Sequence, residues 1–245
     1  MKKSLSVVMG MYNEAENVRP VTSEVGKALK AAEIPYEIIC VSNGSTDDTE
    51  AILTQLSKED PRMHGIVLKE KGYGGAVIAG FNAAKNEWVT LVSGDGQVDP
   101  NDILKAYEAM EKTDVDVVKP RRVRREDNFL RTYLVQVFNL LVKIVFTLPG
   151  WDVDGPPKVM KRSFLNKLKL QSPDFFIDAE IMIKTKYLGG TVTEVPVGWR
   201  ERKRGTPFIA NALMRTSWQY FKNLVWWRIH YRALVIKKLS LHKPR

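Results

Sequence analysis

The sequence predicts an α/β fold built on a mainly parallel, doubly wound sheet, and three observations predict it. Short apolar runs alternate with helix-length segments through the first 120 residues. Those runs end in polar or glycine-rich turns, where open α/β sheets bind ligands. The composition, 44% hydrophobic and 27% charged, is too apolar for a disordered tail and too charged for a bundle of membrane spans. A chain of 245 residues holds one large domain, or one domain with an appendage.

Ser6 to Met11 reads as a buried strand that runs into the loop Tyr12-Asn13-Glu14. A helix follows from Asn17 to Ala32. Tyr36 to Val41 is a second strand ending in Ser42-Asn43-Gly44-Ser45, and Asp47 to Ser57 a helix with Thr46 or Asp47 as N-cap. Gly65 to Leu68 is a third strand, and Gly72-Tyr73-Gly74-Gly75 opens a helix that reaches Ala84. Trp88 to Val92 is a fourth strand, ending at Ser93-Gly94-Asp95. Asp102 to Lys112 is helical, and Val115 to Val118 extended, with Lys119-Pro120-Arg121-Arg122 beyond it.

The second half differs. Phe129 to Leu148 carries Thr132, Gln136, Asn139, Lys143 and Thr147 as one narrow polar stripe on an otherwise apolar helix. Such a helix suits a bilayer surface or the interface of a homo-oligomer. Residues 211–245 mix Trp218, Tyr220, Trp226, Trp227 and Tyr231 with Arg215, Lys222, Arg228, Arg232, Lys237 and Lys238, the composition of a membrane interface. The expected division is therefore 1–210 for the folded domain and 211–245 for a basic, aromatic, membrane-associating tail.

Charge follows the same division. The net charge of +10 resides at the end of the chain, where residues 200–245 hold 12 Lys and Arg against Glu201 alone. The preceding 199 residues carry 26 basic and 27 acidic side chains. A polyanionic partner is implied, and the apolar content favours lipid over nucleic acid. One cysteine, Cys40, excludes an intrachain disulfide framework, and it fits a reducing compartment. Three scattered histidines offer no metal pair. No signal peptide and no run of about 20 apolar residues is expected.

The segments SVVMGMYNEAENV, VSNGSTDDT, SGDGQVDP and FFIDAEIMIKTKYLGGTVTEVPVGWRERKRGTP resemble the successive motifs of family 2 glycosyltransferases of the GT-A fold. The branch they resemble is the polyprenyl-phosphate type, dolichol-phosphate mannose synthase and its bacterial undecaprenyl-phosphate relatives. The resemblance runs from about residue 4 to residue 207, with the motifs in order, and it implies a set of site residues. Tyr12, Asn13 and Glu14 would contact the nucleotide. Ser42, Asn43 and Ser45 stand where the family holds base and ribose, although its Asp-Asp pair is replaced by Ser42-Asn43. Gly74, Ser93 and Gly94 join this nucleotide set. Asp95 and Gln97 would hold Mg²⁺ or Mn²⁺, since a departing diphosphate needs a hard cation, with Ser93 in place of the first family aspartate. Arg121, or Arg122 next to it, would contact phosphate. Asp152 or Asp154 would lie near the acceptor. Asp178, in the Phe176–Glu180 acidic motif, would sit beside the reacting sugar. Arg202, in the closing arginine-and-glycine loop, would reach the diphosphate or the lipid phosphate. Asp178, Asp95 and Arg202 are the catalytic candidates. The usual Ser-Lys after the closing glycine and the QxxRW signature of processive synthases are both absent.

The resemblance implies an inverting, metal-dependent transfer from a nucleotide-diphosphate sugar to polyprenyl phosphate at the cytoplasmic face of a membrane, with peripheral or monotopic attachment. Two alternatives stay open on the sequence. One is transfer to a lipid-linked sugar or other hydroxyl acceptor; the other is a non-catalytic nucleotide- or membrane-binding protein.

Overall fold

The computed structural model describes residues 2–122, 129–148, 153, 155–198, 200–202, 204 and 218–230. Asp152, Asp154, Gly205 and the segments 205–217 and 231–245 lie outside the described residues, as does the side chain of Arg122.

Five strands alternating with four helices open the chain: β1 (Leu5–Met11), α1 (Ala15–Ala31), β2 (Tyr36–Asn43), α2 (Thr49–Glu59), β3 (Met63–Leu68), α3 (Tyr73–Ala83), β4 (Trp88–Ser93), α4 (Pro100–Thr113) and β5 (Val117–Arg122). Then follow α5 (Phe129–Phe146), β6 (Lys158–Lys161), α6 (Arg162–Leu168), α7 (Ile177–Tyr187) and β7 (Val192–Val197). A further helix covers residues 218–230.

The sheet has the order β3-β2-β1-β4-β6-β5-β7. Every strand is parallel except β6, which runs against both β4 and β5. That four-residue strand is absent from the sequence-based expectation, and the sheet is mainly parallel as expected. The strand expected over Val115 to Val118 is displaced: β5 covers Val117–Arg122, so Lys119 to Arg122 belong to it and pair with β7, Arg121 beside Pro196. Pro196 fits because β7 is an edge strand, where one ladder bond is dispensable.

Alternation along the strands sorts side chains into two layers. Val7, Met9, Met11, Ile38 and Cys40 pack on one face against Val18, Val21, Val25 and Leu29 of α1 and Ile103, Ala106, Tyr107 and Met110 of α4. Each such buried aliphatic side chain contributes about 2 kcal/mol. Val8, Ile39, Val41 and Leu91 pack on the other face, against Ala76 and Val77 of α3, Val142 and Phe146 of α5, and Ile181 and Met182 of α7. Leu224 and Trp227 of helix 218–230 belong to this second layer. Gly80 lets α3 lie close on the sheet, since a Cβ there would stand 2.3 Å from Val8 Cγ1.

The polar stripe of α5 turns partly inward: Asn139 is buried, while Leu140, Leu141 and Ile144 are exposed. Among the described residues no helix is long and apolar enough to cross a membrane.

Candidate active site

The carboxyl ends of β1, β2 and β4 lie side by side, and the loops that leave them are stitched together. Asn13 adopts a left-handed backbone, φ 52°, which asparagine tolerates. Its N–H donates to Ser45 Oγ at 3.2 Å, and its Oδ1 accepts the Thr46 N–H at 2.8 Å. The Glu14 N–H donates to Thr49 Oγ1 at 2.9 Å. Asp47 accepts the Ala15 N–H at 3.1 Å and both the N–H and hydroxyl of Thr49. It therefore satisfies orphan donors at the starts of two helices, α1 and α2. Burial pushes the Asp47 carboxyl up, but these hydrogen bonds outweigh it and hold it below the ordinary value of 3.8.

Ser42 is fully buried, and its hydroxyl bonds with Ser45 and Glu50, each at 3.1 Å. It thus supports the loop from beneath. Asn43 Oδ1 accepts the Gly72 N–H at 2.7 Å, while Lys71 Nζ donates to Tyr12 OH at 2.6 Å. These two contacts draw the loop after β3 across the end of β2. Gly74 is engaged too: its N–H donates to Pro173 O at 3.1 Å, and a Cβ there would meet Ser172 O at 2.0 Å. It serves close packing between α3 and the loop before α7. Gly94 likewise permits a close approach, with Met11 Cγ 2.7 Å from its would-be Cβ.

The charged centre is Glu14, Asp95 and Arg202. Arg202 Nη2 pairs with Glu14 Oε1 at 2.6 Å, Nη1 stands 4.0 Å from Asp95 Oδ2, and Nε donates to Arg204 O at 2.8 Å. Asn17 Nδ2 donates to the other Glu14 oxygen at 2.6 Å. Burial pushes the Glu14 carboxyl up; Asn17 and Arg202 pull it back only partly, and the negative charge of Asp95 adds to the rise. Asp95 Oδ1 accepts the Gln97 N–H at 3.0 Å, and Gln97 O accepts the Arg200 N–H at 3.2 Å. The loop that bears Arg202 is thereby tied to the turn after β4.

Asp95 and Gln97 are hard oxygen donors of the kind Mg²⁺ and Mn²⁺ take. Among the described residues no three His, Cys, Asp or Glu side chains converge as a metal site. The residues therefore fit a cation that brings most of its oxygen ligands with it.

A second centre lies on the α7 side of the sheet. Asp178, in the first turn of α7, is ion-paired with the fully buried Lys158, whose Nζ also donates to Gly155 O at 3.0 Å. Glu180, two residues on, is fully buried; it accepts the N–H groups of Gln171 and Ser172 and pairs with Lys184 at 2.5 Å. Arg121 is exposed at the end of β5 and joins neither centre through any contact among the described residues. Sequence reasoning missed Lys158 and Lys119, which is buried and paired with Glu194. The signal available was a lysine at the edge of a short apolar run, opening it at Lys158 and closing it at Lys119, and a surface strand gives the same signal.

With this geometry in hand, the comparisons are specific. Residues 6–177 match glycosyl transferase family 2, and the chain belongs to that family. It is 32% identical over 144 residues to an undecaprenyl-phosphate 4-deoxy-4-formamido-L-arabinose transferase from Yersinia enterocolitica, a match over 58% of this chain and 43% of that protein. The protein of the same description from Serratia proteamaculans is 31% identical over 143 residues, 58% of this chain and 44% of that one. The matched region thus spans less than half the length of these curated relatives. Among solved structures, glucosyl-3-phosphoglycerate synthase from Mycobacterium tuberculosis in complex with Mn²⁺ and UDP-glucose superposes with a TM-score of 0.70 at 18% identity, covering 91% of this chain and 78% of that one. The same synthase with phosphoglyceric acid gives 0.71 at 18%, covering 91% and 79%. The fold is therefore GT-A.

Proposed function

We propose that this protein is an inverting glycosyltransferase that moves a sugar from a nucleotide-diphosphate donor to a polyprenyl phosphate at the cytoplasmic face of a membrane. The observation that carries the reading is the convergence of Glu14, Asp95 and Arg202 at the carboxyl ends of the sheet. Family membership and the undecaprenyl-phosphate transferases among the relatives support it.

In this reading Tyr12, Asn13 and Asn43 line the nucleotide's place, and Arg202 leaves Glu14 to bind the diphosphate with its planar fork. Asp95, with Gln97, would hold Mg²⁺ or Mn²⁺, which supplies charge neutralisation of the leaving diphosphate. A phosphate oxygen of the acceptor attacks the anomeric carbon from the face opposite the leaving group. The bond from that carbon to the nucleoside diphosphate breaks, and its electron pair leaves with the diphosphate. The acceptor oxygen is already anionic, so no base needs to remove a proton. Asp178 accepts a hydrogen bond from the sugar and fixes its orientation, and positioning supplies much of the rate. Residues 1–210 form the transferase domain, and 211–245, with α5, hold it against the bilayer.

A thermal-shift screen of UDP, GDP, CDP and dTDP sugars, each with Mn²⁺, Mg²⁺ or chelator, tests the donor. Transfer from the donor so chosen to detergent-solubilised undecaprenyl phosphate tests the acceptor. One nucleotide class stabilising the protein, with loss in chelator and in Asp95→Ala, is the expected result. Transfer to a hydroxyl acceptor alone would move the reading to that class. No stabilisation by any donor, with or without the lipid, would overturn the enzyme reading in favour of a non-catalytic binding protein.

A further inference from the structure

We infer that Lys158 is a positioning residue that aims Asp178 at the donor sugar, an inference that rests on the transferase reading above. Its place in the sheet is the first argument. β6 is the antiparallel strand, so its first residue lies where its neighbour β4 ends: Lys158 pairs with Leu91, two residues before Ser93. Leu91 packs on the α7 face of the sheet, and side chains paired across neighbouring strands share a face. The Lys158 ammonium therefore enters the protein directly under the rim of the site, below the first turn of α7.

Its burial is the second argument. Lys158 is 0% exposed and follows a loop, while Val159 and Met160 beside it are ordinary core residues. An apolar side chain at this place would be as stabilising or more so, because a buried ion pair loses much of its attraction to desolvation. In some proteins such buried groups are retained because they specify one conformation. Here the geometry is explicit. The ammonium is held by Gly155 O at 3.0 Å and holds Asp178 Oδ1. One carboxylate oxygen is thus anchored from within, and the side chain is confined to a single orientation.

The contrast with Glu180 is the third. Both carboxylates stand in the first turn of α7, but Glu180 is wholly consumed by Gln171, Ser172 and Lys184 and is 0% exposed. Asp178 keeps 8% exposure. It is the carboxylate of the pair that retains access to a ligand, and Lys158, which has none, acts through it. Without Lys158, Asp178 loses its anchor, and a hydroxyl of the sugar meets a carboxylate that is no longer aimed.

The measurement is the ratio of two dissociation constants, one for the donor chosen by the screen and one for its bare nucleoside diphosphate, by titration calorimetry with Mn²⁺. In Lys158→Met the ratio should rise about tenfold, the scale of one lost hydrogen bond to a charged group, with the bare nucleotide unchanged. Lys158→Gln, whose amide can still donate to Asp178, should recover part of that loss. Asp178→Asn should raise the ratio as well, and the Lys158→Met/Asp178→Asn pair should do no more than Asp178→Asn alone. An unchanged ratio in Lys158→Met, or equal weakening of both ligands, would overturn the inference and leave Lys158 a packing residue. If Lys158→Met does not fold, Lys158→Gln is read by the same ratio. If the wild-type chain binds no nucleotide, the transferase reading itself fails, a result distinct from an unchanged ratio.

Discussion

In the proposed reaction Asp95 would hold the metal with no carboxylate two residues earlier, where this chain has Ser93. Its Oδ1 is engaged by the Gln97 N–H, and its Oδ2 faces Arg202 at 4.0 Å. A free divalent ion would have to compete with that guanidinium for one carboxylate. The metal is therefore expected to bind with the nucleotide and not before it. Mn²⁺ titration followed by electron paramagnetic resonance should show affinity at least about tenfold weaker alone than with the nucleoside diphosphate. Arg202→Gln should narrow that gap from both sides, freeing Glu14 and Asp95 for the ion while weakening the nucleotide. Equal affinity with and without nucleotide in the wild type would refute this order. Asp47 makes a different prediction, about stability. Its carboxyl is held below 3.8, so the stability it adds is present above that value and is lost as pH falls through its lowered one. Asp47→Ala should cost about 1 kcal/mol at pH 7 in urea unfolding, the usual scale of a lost helix cap. The difference from wild type should shrink below pH 3.8; a pH-independent difference would contradict the assignment.

At the scale of elements, α3 and the loop before α7 meet at a glycine doublet whose two members differ sharply. A methyl group on Gly74 would stand 2.0 Å from Ser172 O and 2.8 Å from Asp174 O, both backbone atoms, whereas Gly75 has nothing within 4 Å of its would-be Cβ. Gly74→Ala should destabilise the fold by about 2 kcal/mol or more. Gly75→Ala should be neutral or slightly stabilising, as expected for a helical position. Thermal unfolding of the two variants checks the pair, and similar midpoints would contradict the packing described. The sequence made the first five strands and their intervening helices legible, because each strand is a run of apolar residues closed by a polar turn and each helix repeats at 3.6. It hid β6 for a physical reason. Lys158-Val159-Met160-Lys161 is four residues long, bounded by lysines, and its first lysine is buried only because Asp178, twenty residues away, neutralises it. Spacing along the chain carries no trace of that pairing. The same limit explains Ser42: its motif position pointed to the nucleotide, but the pleat of β2 and the reach of Glu50 turn its hydroxyl inward.

At the scale of the whole molecule, one surface remains to be covered. Helix 218–230 buries Leu224 and Trp227 in the core layer of α7, Trp227 stacked on Phe176 just before that helix, and packs Tyr220 on Phe138 of α5. Its opposite face exposes Trp218, Phe221, Val225, Trp226 and Ile229 at helical spacing, and α5 exposes Leu140, Leu141 and Ile144. A helix apolar on both faces is ordinarily buried. Lys222 lies over the Trp218 ring, and five Lys and Arg follow between residues 231 and 245. An apolar face that carries Lys222, on a chain of net charge +10, matches an anionic bilayer better than a second copy of the same basic chain, whose charge would repel it. Each basic residue near such a surface adds about 1 kcal/mol, screened within about 10 Å at 0.1 M salt. The protein should therefore sediment with vesicles containing phosphatidylglycerol, far less with phosphatidylcholine alone, and less as salt rises. Phe221→Glu and Ile229→Glu, at positions 50% and 62% exposed, should abolish sedimentation without lowering the unfolding temperature. Trp227→Ala, at 3% exposure, should lower that temperature instead, because it removes an aromatic side chain from the core that α7 shares. Light scattering on the same samples separates the occupants. A concentration-dependent dimer that the two glutamate variants dissociate, together with no affinity for anionic vesicles, would assign this face to a second copy and refute the bilayer.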